Sequence, residues 1–168
     1  MVPDPLHPAV VHFPIVFAVL LPIVAGIALW AIRRGTGARR AWAAPVALAA
    51  ALSLSAWAAT ETGEDQEERV ETVVAEAPLE THEAAADRFL VGSLGVLTIM
   101  VIGLAGGRVG SIARGLGLVA TLALTVAGYQ VGHSGGELVY RHGAASAYTV
   151  PDSNAPRYAP ERERHRDR

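Results

Sequence analysis

Four long apolar runs organise the chain, separated by polar links. They span Pro8 to Ile32, Ala41 to Thr60, Ala84 to Ala105 and Ser111 to Val131. A helix rises about 1.5 Å per residue, so roughly 20 apolar residues cross the ~30 Å hydrocarbon core of a bilayer, and each run is long enough. The links Arg33 to Arg40 (RRGTGARR) and Gly106 to Gly110 (GGRVG) are tight and join antiparallel neighbours. The pattern predicts an all-α fold: a four-transmembrane-helix bundle running up-down-up-down, with a short helical extension after the fourth span. Pro14 and Pro22 predict kinks near the start and middle of span one. The middle link, Glu61 to Glu83, is long and acidic and reads as a solvated connection. Residues 1–145 form the predicted membrane domain. Residues 146–168 form an extramembrane tail, whose Pro-rich, highly charged composition suits a disordered or partner-bound segment.

Charge orients the bundle. The first tight link carries Arg33, Arg34, Arg39 and Arg40, and the last carries Arg108 with Arg114 just beyond. The positive-inside tendency places both links in the cytoplasm, so both termini and the acidic link face the periplasm or cell exterior. The tail arginines, Arg157 to Arg168, run against this, but they lie more than about 20 residues past the last span, where the tendency is weak. No basic segment precedes the first run, so span one is expected to stay in the mature protein rather than act as a signal peptide. Trp30, Trp42 and Trp57 fall near span ends, as interfacial aromatics do. Small residues in spans two and four predict close helix packing, or room for a flat cofactor.

Composition then narrows the chemistry. A net charge of -2 gives no basic footprint for nucleic acid. There is no Cys, which removes disulfides, thiolate metal sites, iron–sulfur clusters and covalently attached haem. Met occurs only as Met1 and Met100, leaving His and carboxylates as ligands. No nucleophile elbow, P-loop, zinc-protease helix or dinucleotide fingerprint is present, so an isolated enzyme is not expected.

Of the 6 histidines, His7, His12, His82, His133 and His142 all fall on the outward side of this topology, and His165 lies in the tail. Ionisable groups at membrane depth are costly and normally have a partner. His12, His82 and His133 come from three different spans at comparable depth, a set that can hold iron or another metal. Spans one and three are diagonal in such a bundle, so His12 and His82 form the first candidate pair, with His133 the substitute for either. Arg88 and Arg141 are candidate partners of haem propionates. His7 precedes Pro8 at a natural helix start and reads first as an anchor. His142 precedes Gly143 and reads as a helix-end dipole partner. His7, His142 and Glu64 are alternative metal ligands. Glu137 and Arg141 are four residues apart, the spacing of a local ion pair.

The segments HPAVVHFPIVF and GHSGGELVYRHG, with TGE at Thr62 to Glu64 and His82 leading span three, resemble the bacterial four-helix membrane family catalogued as domain of unknown function 2231. The matching positions are His7, Pro8, His12, Pro14, Thr62, Gly63, Glu64, His82, Gly135, Gly136, Leu138, Val139, Tyr140, His142 and Gly143. The resemblance implies a bacterial inner membrane location. It also implies a redox setting, because relatives occur beside cytochrome-type domains. One departure is that Ala84 to Ala86 supply no amide where the family often has Asn. The leading expectation is a non-covalent b-type haem protein. It would be an electron carrier or a cytochrome-like subunit of a larger complex, exchanging electrons with quinol or a periplasmic donor. The alternatives are a His/carboxylate site for a divalent metal, and a cofactor-free structural subunit docked through its tail.

Overall fold

The computed structural model describes residues 5–148; His165 and the expected tail from residue 149 on fall outside them, while residues 146–148 of that tail belong to a 3-10 turn. A one-turn helix α1 (His7–Val10) leads into α2 (His12–Arg33), followed by α3 (Ala38–Glu71), α4 (Glu76–Ile102), α5 (Gly107–Tyr140) and a 3-10 turn, Ala144–Tyr148. Four helices are long and apolar enough to cross a membrane. Neighbours around the bundle are α2–α3, α3–α4, α4–α5 and α5–α2, so α2/α4 and α3/α5 are the diagonals. Large apolar side chains cover the outside: Leu54, Val91 and Val119 are each about two-thirds exposed. That surface is at home in lipid and not in water.

The proline expectations separate. Pro14 has no N–H to give to the Val10 carbonyl and its ring crowds that group. The helix breaks there, at Val11, and α1 packs on α3. Pro22 lies inside α2 without interrupting it.

The acidic link is not a loop. α3 runs eleven residues past Thr60, α4 begins at Glu76, and only residues 72–75 turn the chain. Polar sequence hid this because a helix clear of the bilayer needs no apolar face except where it packs. At 34 residues each, α3 and α5 are ~51 Å long and overshoot the hydrocarbon core by ~20 Å. Val74 in the turn, Leu79 on α4, Leu138 on α5 and Ala144 in the 3-10 turn, with Val70 of α3 packed against them, form a small core that caps the histidine end.

At the arginine end the α4–α5 turn is held from two sides. Trp42 Nε1 donates to the Met100 carbonyl (3.0 Å), and buried Arg114 donates to the Gly103 carbonyl (2.7 Å). Trp42 is therefore not the interfacial anchor its position predicts. It is fully buried, while Trp30 and Trp57 stay more than half exposed.

The two helical hairpins bury the same register. Adding 75 to the buried positions of α2 converts Pro14, Ala18, Leu21, Ala25 and Ala28 into Phe89, Ser93, Val96, Met100 and Gly103, all buried. Adding 72 to α3 converts Trp42, Pro45, Ala49, Leu52 and Ala56 into Arg114, Gly117, Thr121, Leu124 and Gly128, again all buried. The bundle is thus two copies of one hairpin about a pseudo-two-fold along its axis. The paired residues share burial but rarely identity, and so the repeat is invisible in the letters.

Candidate functional site

The same register relates two histidines. In the first hairpin the ring of His7 lies over Gly63, where an added Cβ would come within 3.2 Å of it, and Nδ1 is 2.9 Å from the Ala59 carbonyl. A carbonyl can only accept, so Nδ1 carries the proton. In the second hairpin the ring of His82 lies over Gly135, at 3.0 Å from an added Cβ, and Nδ1 is 2.9 Å from Ser134 Oγ. Ser134 gives its own proton to the Val131 carbonyl (3.0 Å), so it accepts from His82. His7 maps to His82, Gly63 to Gly135, and Thr62 to Ser134. Each glycine is needed because the imidazole occupies the place of a side chain.

Both rings are thus fixed in the tautomer that leaves a lone pair on Nε2, and neither Nε2 has a hydrogen-bond partner among the described residues. Ligand histidines are usually oriented this way, with the far ring N–H held by a carbonyl or hydroxyl. Both rings line one cavity of about 780 Å³ at the histidine end of the bundle. They come from opposite sides of it and lie within reach of each other's charge. Its floor includes Pro14, Ala56, Phe89 and Gly128, and its wall includes Glu64, Glu67, Glu83 and Asp87.

The other expected site residues are placed as follows. His12 lines the cavity but is exposed, and its ring makes no hydrogen bond among the described residues. His133 points away from it, stacks on Tyr129 with ring centroids 5.9 Å apart, and sits 3.8 Å from Glu137. The trio His12, His82 and His133 is therefore not assembled, and among the described residues no three His, Asp or Glu side chains gather as a metal site. The helical step of 100° per residue explains the change: with Gly135 under His82, Ser134 faces inward and His133 outward. Arg141 is tied to Glu137 as its spacing predicts (2.6 Å), and Arg88 is exposed; neither reaches the cavity. His142 borders a separate pocket of about 280 Å³ beside Ser134 and Glu137. Glu64 does line the main cavity.

Sequence reasoning missed Ser134 and the assignment of His7. A usable signal was present in the letters: a hydroxyl residue directly before glycine in both Thr62-Gly63 and Ser134-Gly135, each one hairpin after a helix-leading His. Removing the hydroxyl tests this arrangement. For the ligand proposed below, Ser134→Ala is expected to free the His82 ring and weaken binding by about 10–100-fold, as losses of such supporting groups do, while helix content is unchanged. Titrating ligand into both proteins measures it.

A four-span membrane protein with paired imidazoles at one end of its bundle is the class that fold and site define. The family profile described as predicted membrane protein, DUF2231, matches residues 3–147, and the chain belongs to that family. No curated protein and no solved structure matches it.

Proposed function

We propose that the chain binds a b-type haem between His7 and His82 and serves as a membrane electron-transfer protein or subunit. One observation carries this reading: two imidazoles from opposite sides of the bundle, each with Nδ1 tied down, present free Nε2 lone pairs to a single cavity. Neutral imidazole nitrogens of this kind are axial ligands of haem iron, which when bound supplies a one-electron couple. His7 replaces His12 in the expected pair. The mostly apolar wall suits a flat macrocycle. The expected propionate partners Arg88 and Arg141 do not fit, because among the described residues the lining contains no Arg and carries four carboxylates. The carboxylate groups of a haem are therefore best accommodated on the side away from Glu64, Glu67, Glu83 and Asp87. With the arginine links in the cytoplasm, the site faces the outer leaflet of a bacterial inner membrane, within reach of quinol or a periplasmic donor.

The carboxylates favour a second reading, a neutral hydroquinone whose hydroxyls donate to the two Nε2 atoms. One spectrum separates them. Detergent-purified protein, expressed with ample haem and reduced with dithionite, is expected to show the sharp α band of bis-imidazole iron. A colourless protein that instead binds a decyl-substituted hydroquinone removes the haem reading in favour of the second.

A further inference from the structure

The pseudo-two-fold that pairs the histidines also pairs the two seams they leave open, and those seams have opposite chemistry. His7 closes the α1–α3 side by lying on Ala59 and Gly63, and His82 closes the α4–α5 side by lying on Ser134 and Gly135. The remaining sides are α3–α4 and α1–α5. On the α3–α4 side stand Glu64, Glu67, Glu83 and Asp87. The register maps these onto Gly136, Val139, Pro8 and His12, and all eight line the cavity. One seam is carboxylate; among the described residues lining the cavity, its mate carries no carboxylate or Arg.

The α1–α5 seam is also physically open. α1 makes no backbone contact with α5, because the Pro14 break turns it onto α3. A Cβ added at Gly136 would meet nothing within 4 Å, and one at Gly132 only Ile15 at 3.9 Å. Glycine inside a helix costs about 1 kcal/mol relative to alanine, and at Gly136 no close packing calls for it. What the missing side chain leaves there is room.

Depth and roof decide where this opening leads. Exposed apolar side chains run continuously to Phe13 on α2 and to Tyr129 on α5, one helical turn from Gly132, and Val139 and Tyr140 are exposed further along α5. The seam thus begins at the edge of the hydrocarbon. Above the cavity the 3-10 turn closes over, with Tyr148 Oη donating to Gln66 Oε1 at 2.9 Å, and both residues line the cavity.

We propose that the α1–α5 seam is a lateral portal, through which a membrane-dissolved ligand with an apolar body passes between the lipid and the imidazole pair. The carboxylate seam opposite is its water-facing counterpart. From the functional reading above, the portal takes only that the imidazoles hold a ligand; haem and hydroquinone share the property it selects.

The absence of Cys makes the test direct. Gly136→Cys and Glu64→Cys, each the single thiol of a full-length protein in vesicles, are reacted with a fatty-chain maleimide and with a sulfonated, water-soluble one. Both positions lie at the same end of the bundle, so vesicle sidedness affects them alike. The fatty chain concentrates its reagent in the bilayer, so Gly136→Cys is expected to react at least about tenfold faster with it, and Glu64→Cys to show the reverse preference. Gly136→Cys reacting with the sulfonated reagent as fast as Glu64→Cys, or with neither reagent, overturns the portal. In a second arm, Gly136→Leu with both histidines intact is expected to slow transfer of hemin from vesicles to the apoprotein several-fold without altering the final spectrum; unchanged kinetics count against the proposal. If wild-type protein takes up no hemin, the haem reading fails and the labelling pattern alone decides the portal.

Discussion

Under the proposed haem reading, His7→Ala and His82→Ala are each expected to abolish the α band of the dithionite-reduced protein, with affinity for haem falling at least roughly 100-fold, while far-ultraviolet circular dichroism is unchanged. The size follows from the chemistry of ligation. Losing a group that merely orients a ligand histidine already costs 10–100-fold, and here the ligating nitrogen itself disappears. The pseudo-two-fold makes a sharper demand, that the two variants resemble each other, since each ring sits on a glycine with Nδ1 held 2.9 Å from its acceptor. His133→Ala, altered on the outer face of α5, keeps the band. The measurement is a reduced-minus-oxidised spectrum of each purified protein at matched concentration. A full band in His7→Ala, or its loss in His133→Ala, would falsify the pairing.

The second large effect lies at the opposite end and concerns stability alone. Trp42→Ala is expected to destabilise the bundle by about 3 kcal/mol, at the low end of what a buried Trp costs in a water-soluble core. The lower figure is chosen because lipid chains are as apolar as the protein interior, so the loss comes from packing and hydrogen bonding rather than transfer from water. Both are concentrated here. The indole is fully buried, donates to the Met100 carbonyl, and fills the space that a side chain at Gly103 would claim. Trp42→Phe, which keeps most of the packing, should lose only about 1 kcal/mol for the hydrogen bond. Trp57→Ala, more than half exposed toward lipid, should cost less than Trp42→Ala. Unfolding by titration with dodecyl sulfate from a mild detergent compares all three. Equal costs at Trp42 and Trp57 would show that burial at the α4–α5 turn does not govern stability.

Those two tryptophans show where sequence is informative and where it stops. Both lie near span ends, and position along the chain treats them alike. Only the rotation of each helix about its axis separates the anchor from the core residue. The histidines repeat the lesson. His12 and His133 sit at suitable depths and their rings fail to meet inside, whereas His7, which reads as a helix-start anchor, turns inward because Pro14 breaks the helix and α1 leans on α3. The acidic stretch after Thr60 misleads in another way: charge forbids burial in lipid but does not forbid helix, and α3 continues to Glu71 with the cap as its partner.

Four spans, their alternation and the clustering of histidines at one end were set by the sequence alone, because the bilayer makes hydrophobic length and charge placement sufficient for each. Tertiary structure decided which imidazoles line one cavity, which carbonyl and which hydroxyl hold their Nδ1 atoms, and that one seam is acidic and its mate bare. Those outcomes depend on helix rotation and on contacts between residues 52 or more positions apart, such as His82 with Ser134. A linear pattern of apolar and polar positions carries no information on either.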